Sequence, residues 1–352
     1  MSKRADRLVP QMKRLLWWVV WICVLLLGVA VSARALIQRQ SRLLERTFQF
    51  RYAATITELP ADAKQVRIWT PLAKTRDNQR ILSRQIRTPY PYEIHEEPTF
   101  GNEILYLELT PPIPAHVEMT IDYEASVQGG RRVGTGRFLG ASEAFASSAD
   151  ELTAALRDEP FMVVNETVTR LAKTATAGKA DELAKARALY DYVITHMSYD
   201  KTTPGWGQGD TLRACVLGKG NCTDFHSLFI SMARGVGIPA RFVIGAPIPQ
   251  GSEGEIPGYH CWAEFYSATS GWVPVDASEA WKYPKQRDYY FGTLDPNKFL
   301  ISVGRNIQLV PAQASAPVNI FIAPYVEVDG MPRGVAGTRF EFKNRKHKEE
   351  SA

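Results

Sequence analysis

The fold of this chain is decided by the stretch GNCTDFHSLFISMARGVG, residues 220–237. Behind Cys222, apolar residues recur at the three- and four-residue spacing of one helix face: Phe225, Leu228, Phe229, Met232 and Val236. Gly235 or Gly237 ends this helix, and Pro239 prevents its continuation. The pattern predicts Cys222 at a helix start, where unpaired backbone N–H groups and the helix dipole favour a thiolate.

Three strand-like runs follow this helix along the chain: Arg241–Gly245, His260–Tyr266 and Trp272–Asp276. His260 opens the second run, and Asp276 closes the third, just past a turn at Gly271. In antiparallel neighbours these two ends lie side by side, so Asp276 can reach the imidazole. A thiolate nucleophile needs a histidine partner whose ring is fixed by an acceptor. The sequence therefore predicts Cys222, His260 and Asp276 as a catalytic triad.

Strand alternation separates the residues around His260 into two faces: His260, Trp262 and Glu264 on one, and Cys261, Ala263 and Phe265 on the other. We expect Trp262 to form a wall of the site and Glu264 to support its strand face by hydrogen bonding. Cys261 is predicted to be a buried core residue that points away from His260. His226 lies four residues after Cys222 on the helix and is predicted to support the site or to be structural.

An acyl-transfer site also needs donors for the oxyanion of the tetrahedral intermediate. The backbone N–H of Cys222 is one natural donor. The second is predicted among three residues that precede the nucleophile: Tyr199, Trp206 and Gln208. The last two lie in a glycine-rich loop, residues 204–209, and the sequence does not choose among the three.

Together with GYHCWAEFYSATSGWVPVDAS, residues 258–278, the opening stretch resembles the transglutaminase-like superfamily. The resemblance covers about residues 180–310. It implies a papain-like fold with a Cys, His, Asp triad in that chain order, and Cys222, His260 and Asp276 occupy the matching positions. The superfamily includes cross-linking enzymes, proteases, amidases and inactive relatives, so the resemblance does not specify a substrate.

The rest of the chain predicts an α+β protein of several parts. Residues 48–72, FQFRYAATITELPADAKQVRIWTPL, alternate with period two and resemble the β-sandwich that precedes the domain in some bacterial members. Asp181 caps a helix with one apolar stripe: Leu183, Ala186, Tyr190, Val193 and Met197. The predicted parts are an antiparallel β-sandwich (47–128), a helical linker (129–179), a papain-like transglutaminase-like catalytic domain (180–310) and a C-terminal extension with a charged tail (311–352).

The N-terminus predicts export. Residues 15–33 carry no charge and as a helix would span about 28 Å, close to a bilayer core. Five bases precede them, so residues 1–35 are predicted to be a basic cytoplasmic flank and an N-terminal transmembrane helix. A signal peptide cleaved after residue 35 is the alternative. In either case the catalytic domain would lie in the periplasm or outside the cell, and the expected location is a single-pass protein of the inner membrane.

The charge balance argues against nucleic acid as a partner. The net charge of +5 comes from 42 bases and 37 acids, and six of those bases and one of those acids lie in residues 1–35. The remaining chain is therefore neutral and has no basic excess for phosphates.

Three cysteines follow the apolar segment, namely Cys215, Cys222 and Cys261, and an odd number leaves at least one free thiol. A Cys215–Cys261 disulfide is left open. A zinc site is disfavoured, because neighbours His260 and Cys261 point to opposite faces and the spacing is not that of zinc ligands, for which the candidates would be Cys215, Cys222, His226, His260 and Cys261. No metal or organic cofactor is expected.

These residues predict a cysteine-dependent amide hydrolase or acyltransferase that works through a thioester. Peptides or proteins, such as those of the cell envelope, are the expected substrates. Hydrolysis is favoured over transfer to an amine, because water at roughly 55 M competes well unless a site excludes it. The alternative is a non-catalytic envelope module that binds peptide or glycan and keeps the triad as structure.

Overall fold

The computed structural model describes residues 45–76, 78–131, 148–334 and 336–345. From Arg46 onward the described residues belong to one compact unit. The predicted membrane segment, residues 15–33, lies outside the described ranges. Within those ranges, no helix combines the length and apolar character that a membrane crossing requires.

The first part of the described chain is all β. Its strands are β1 (Glu45–Ile56), β2 (Val66–Leu72), β3 (Gln79–Arg87), β4 (Glu93–Glu96), β5 (Glu103–Leu109), β6 (Val117–Gln128) and β7 (Gly130–Arg131). In β1 every second side chain from Phe48 to Ile56 is buried, which confirms the predicted period of two. Buried side chains of β1 and β6 share one core with those of β2 and β5, so two sheets pack face to face.

The helices all lie in the second part of the described chain. They are α1 (Ala149–Ala154), α2 (Glu166–Ala175), α3 (Glu182–His196), α4 (Thr211–Leu217), α5 (Cys222–Gly235) and α6 (Ala277–Lys282), followed by a 3-10 turn (Pro284–Gln286). Asp181 caps α3, as predicted, by accepting the N–H of Ala184. Val168 and Ala172 of α2 are buried in the same core as α5. The segment predicted as a linker, 129–179, therefore contributes a helix to the catalytic core.

A second set of strands carries the site. They are β8 (Ser198–Tyr199), β9 (Lys219–Gly220), β10 (Ala240–Pro247), β11 (Glu253–Ile256), β12 (His260–Ser267), β13 (Gly271–Val275), β14 (Thr293–Leu294) and β15 (Lys298–Val303). Four of them form one sheet in the order β13–β12–β10–β15. Phe229 of α5 is fully buried against this sheet, with its ring 6.3 Å from that of Phe265. A helix of which all residues but the last are buried thus lies on the sheet, as the apolar stripe predicts.

The chain then returns to the sandwich through β16 (Tyr325–Val328), β17 (Met331–Arg333) and β18 (Ala336–Asn344). The two sandwich sheets have the orders β11–β18–β1–β6–β3 and β17–β16–β2–β5–β4. The sandwich therefore extends beyond the predicted range of 47–128, and part of the predicted C-terminal extension is sheet. Phe340 and Phe342 of β18 are buried in the sandwich core, because β18 pairs with β1 along nine residues and shares its alternation.

Candidate active site

The start of helix α5 is fixed by a reciprocal cap. The Asn221 side chain accepts the N–H of Thr223 at 2.9 Å, and the Asp224 carboxylate accepts the N–H of Asn221 at 2.9 Å. Cys222 is consequently the first residue of the helix and is only 3% exposed. The sequence predicted this placement of Cys222 at the helix start.

His260 and Asp276 meet where the sequence predicts. The register pairs Ala263 of β12 with Val275 of β13, which brings the following residue, Asp276, beside His260. His260 Nε2 lies 2.6 Å from Asp276 Oδ2. The other carboxylate oxygen accepts the N–H of Glu279 at 3.0 Å, so Asp276 also caps α6. With Nε2 engaged by the carboxylate, the Nδ1 side of the ring is the one that hydrogen-bonds to Cys222.

The pKa of Cys222 is lowered and that of His260 is raised, so their order is the opposite of that of a free thiol and a free imidazole. A hydrogen bond from the Cys261 thiol, opposed by burial and joined by the contact with His260, holds the pKa of Cys222 well below its ordinary value. Burial lowers the pKa of His260, but the charge and hydrogen bond of Asp276 and the contact with Cys222 outweigh it and raise that pKa to about 9. Between these two pKa values the dominant form is a thiolate beside an imidazolium.

The prediction for Cys261 was incomplete. Its side chain is buried, as predicted, but it contacts the site: Cys261 Sγ is 3.7 Å from Thr223 Oγ1 and 3.8 Å from His226 Nδ1. Strand alternation places Cys261 on the face that α5 covers, and Cys222 lies at the start of α5. Burial and the hydrogen bond to Cys222 together raise the pKa of Cys261 well above its usual range, so the Cys261 thiol stays protonated and acts as a hydrogen-bond donor.

His226 supports this thiol. Its Nε2 accepts the backbone N–H of Ala277 at 3.1 Å, and a backbone N–H can only donate. The proton of the neutral ring is therefore on Nδ1, which faces Cys261 Sγ. Burial, only partly offset by Asp276, lowers the pKa of His226 to about 4 and keeps the ring neutral at pH 7.

The three cysteines of the described chain, Cys215, Cys222 and Cys261, are all free thiols. The disulfide left open by the sequence, Cys215–Cys261, is not formed. Over the described ranges, no group of three or more His, Cys, Asp or Glu side chains is arranged to hold a metal ion.

The glycine-rich loop docks onto the start of α5. The Asp224 carboxylate that caps the helix also accepts the N–H groups of Gly207 at 2.8 Å and Gly209 at 3.1 Å. Arg305, only 1% exposed, donates to the carbonyls of Gln208 at 2.7 Å and Gly209 at 2.9 Å. Gly209 has φ +68°, and a Cβ there would lie 2.8 Å from Thr223 Cγ2. The loop is thereby held against the nucleophile helix.

The three predicted oxyanion donors occupy different positions. Burial and the charge of Cys222 raise the pKa of Tyr199 to about 12, and Lys282 Nζ lies 4.1 Å from the centre of its ring. Trp206 is 39% exposed and packs against Lys201, while the Gln208 side chain is exposed. Which of the three donates to an oxyanion stays a prediction.

Trp262 and Glu264 lie on the same face of β12 as His260, as predicted, and this face is opposite the one covered by α5. The Trp262 ring is 6.5 Å from that of His260 and nearly parallel to it. Glu264 forms an ion pair with Arg241 of β10 at 2.6 Å, across the register pair that joins these two residues. It supports the sheet through this pair with Arg241, which is not a triad residue.

Two residues near the triad were not predicted. Tyr259 precedes His260, and its hydroxyl lies 3.4 Å from Asn221 Nδ2. Lys298 Nζ lies 2.5 Å from Asp276 Oδ2, the oxygen that also binds His260. Tyr259 could have been proposed from the sequence, because it directly precedes the predicted histidine, His260. No local signal marks Lys298, because its position depends on the pairing of β15 with β10.

Comparison with known families agrees with this geometry. Residues 169–277 match the family model of the transglutaminase-like superfamily. The chain carries a transglutaminase-like domain. The match begins within α2 and ends one residue past Asp276, so it contains the whole predicted triad.

Individual relatives are more distant. An uncharacterized protein of Haemophilus influenzae is 30% identical over 210 residues, which are 50% of this chain and 57% of that protein, so the match spans little more than half its length. The crystal structure of a candidate cysteine protease from Cytophaga hutchinsonii matches 86% of this chain and 100% of its own, with a TM-score of 0.53 and 15% identity. The periplasmic domain of TgpA from Pseudomonas aeruginosa matches 70% of this chain and 91% of its own, with a TM-score of 0.37 and 16% identity.

The Cytophaga structure supports the fold. At family level, the domain match and the Cys, His, Asp geometry support a cysteine-dependent enzyme of the transglutaminase-like kind.

Proposed function

We propose that this protein cleaves amide bonds of peptides or proteins outside the cytoplasmic membrane, with Cys222 as nucleophile and a thioester as intermediate. One observation carries the proposal. His260 is held through Nε2 by Asp276 Oδ2 at 2.6 Å, while the same ring hydrogen-bonds to Cys222. A purely structural histidine would not need a buried carboxylate behind it and a thiol of lowered pKa in front of it.

In the acylation step, the Cys222 thiolate attacks the amide carbonyl carbon and forms a C–S bond. The carbonyl oxygen becomes an oxyanion, which the N–H of Cys222 at the helix start can stabilise. His260 donates its Nδ1 proton to the amide nitrogen, the C–N bond breaks and the amine departs. Asp276 holds the ring in place during this transfer.

In the deacylation step, the now neutral His260 takes a proton from water, and the resulting hydroxide attacks the thioester carbonyl. The C–S bond breaks, which releases the carboxylic acid and restores the thiolate beside the imidazolium. An amine in place of water would give transamidation by the same steps. We favour water, because its concentration of roughly 55 M outweighs that of any amine unless the site excludes it.

The proposed location depends on the sequence of residues 1–35. An uncharged run at 15–33, preceded by five bases, supports a membrane anchor with a cytoplasmic N-terminus and an exported catalytic domain. The substrates would then be peptides or proteins of the cell envelope.

The test uses a panel of end-labelled peptides, incubated with the parent protein and Cys222→Ala, with and without added cadaverine as amine acceptor. Mass spectrometry identifies cleaved peptide, amine-linked peptide and any acyl adduct on Cys222. We expect cleavage by the parent and by Cys215→Ala but not by Cys222→Ala, and hydrolysed product in excess over cadaverine product. Cys215→Ala is the matched control, because it removes a thiol that does not contact the triad.

The alternative of a non-catalytic binding module makes a different prediction. The parent protein would bind peptides without forming an adduct, and iodoacetamide at pH 6 would label Cys222 no faster than Cys215. That combination would rule out the proposed enzyme.

A further inference from the structure

Behind the triad lies a buried ammonium group that the mechanism above does not use. Lys298 is the first residue of β15, and its side chain is 14% exposed. Its Nζ lies 2.5 Å from Asp276 Oδ2, and His260 Nε2 lies 2.6 Å from the same oxygen. One carboxylate oxygen therefore serves two positive partners.

The position of this ammonium is set by the sheet. Lys298 pairs with Pro247 at the end of β10, and its N–H donates to the carbonyl of Asp295 at 3.2 Å. Its Nζ lies 5.2 Å from the centre of the Trp262 ring and forms a cation–π contact with this predicted wall of the site.

The charges around the triad can be counted by element. Tyr190 faces it from α3, Tyr199 from β8, and Cys222 and His226 from α5. Tyr259, His260 and Cys261 face it from the start of β12, and Asp276, Glu279 and Lys282 from α6. Tyr290, Asp295 and Lys298 face it from the segment that leads into β15. Among the lysines of the described chain, Lys298 is the one that forms an ion pair with Asp276. During one catalytic cycle His260 changes from imidazolium to neutral and back, so its charge is not constantly available to Asp276.

We propose that Lys298 is a positioning residue, which keeps Asp276 ionised when His260 is neutral and limits how tightly the carboxylate holds the His260 proton. This rests on the proposed function, since it assigns a role within the same site. Asp276 is 2% exposed, and a buried carboxylate without a constant counter-charge would take up a proton. Burial raises the pKa of Asp276, yet Lys298 first and His260 second bring it well below its usual value.

The proposal differs from a purely structural ion pair in what it predicts for His260. Loss of the positive charge leaves the carboxylate to His260 alone, so the imidazolium should be held more tightly. At a few ångströms and an effective dielectric constant of about 20, one unit charge shifts a neighbouring pKa by about one unit or more. A structural pair would lower stability without moving the His260 titration.

The experiment measures that titration directly in the full protein. Imidazole ¹H–¹⁵N NMR and the pH profile of iodoacetamide labelling are recorded for the parent, Lys298→Met and Lys298→Arg. We expect the His260 midpoint in Lys298→Met to rise by about one pH unit or more, and Lys298→Arg to return it to the parent value. Arg241→Gln is the matched control, because it breaks an equally buried ion pair of the same sheet and should leave the midpoint in place.

A His260 midpoint in Lys298→Met that stays at the parent value or falls would overturn the proposal, and thermal melts would show whether that variant is folded. Neither readout needs an amide substrate. A raised midpoint in a protein that turns over no peptide would support the role of Lys298 and reject the proposed function. Peptide cleavage by the parent together with an unmoved His260 midpoint in Lys298→Met would support the proposed function and reject the role of Lys298.

Discussion

Replacing Cys261 with alanine should make Cys222 less acidic. The Cys261 thiol stays protonated, and its Sγ accepts a hydrogen bond from His226 Nδ1, which lies 3.8 Å away. The thiol can donate in turn to the Cys222 thiolate or to Thr223 Oγ1. Alanine removes that donor and leaves His260 in place. The thiolate then loses one of the hydrogen bonds that stabilise it, so the Cys222 pKa must rise.

The size of the shift follows from the strength of the lost bond. A hydrogen bond to a charged group contributes about 1.5–3 kcal/mol, and a thiol is a weak donor, so the lower end applies. Since one pKa unit corresponds to about 1.4 kcal/mol, the Cys222 pKa should rise by about one unit. Cys261→Ser is the matched control: its hydroxyl keeps a donor at the same position and should hold the shift to a few tenths of a unit.

The assay is the rate of iodoacetamide labelling of Cys222 between pH 3 and pH 9, read by peptide mass spectrometry. Cys215 serves as the internal reference, because burial raises its pKa to about 11 and it should stay unlabelled at low pH. A Cys261→Ala profile that coincides with the parent profile would show that Cys261 donates nothing to the thiolate. A shift equal in alanine and serine variants would point to packing and not to the donor.

Three further outcomes test the packing, the buried ring and the N-terminus. Phe229→Ala should lower the free energy of unfolding by about 3–5 kcal/mol in denaturant melts, against almost no change for the exposed Val216→Ala; a loss below about 1 kcal/mol would contradict the burial of that face. Because burial lowers the pKa of His226 from 6.5 to about 4, the unfolded chain binds its proton first, so stability should fall as pH drops from about 6.5 to 4, and His226→Asn should flatten that part of the curve. Mass analysis of the purified N-terminus should find residues 1–35 retained, whereas a chain beginning at Leu36 would identify a cleaved signal peptide.

The features that the sequence predicted well are those with local causes. The apolar stripe within residues 220–237 was enough to predict Cys222 at the start of α5, although the cap by Asn221 and Asp224 that fixes this start was found only in the structure. His260 and Asp276 come together because a short turn at Gly271 fixes the register of two adjacent strands.

The features that escaped prediction depend on distant pairing. Lys298 reaches Asp276 only because β15 joins the sheet beside β10. Alternation assigned Cys261 to the correct face of its strand, but it could not show that the start of α5 covers that face. β18 alternates like any half-buried strand, and nothing local shows that it pairs with β1, nearly 300 residues earlier in the chain.

That long return of the chain has a consequence for how the protein is made. The pairing of β18 with β1 joins Ala336 to Ile56 and Asn344 to Phe48. The first described strand therefore cannot complete its pairing until the last one has been synthesised. Until then β1 presents an unpaired edge with buried-type side chains such as Phe50, the kind of surface that recruits other strands. The residues between β1 and β18, which include the Cys222 region, must therefore be synthesised before the β1–β18 pair of the sandwich can form. Newly made chains that stop before residue 336 should be the ones most in need of a chaperone.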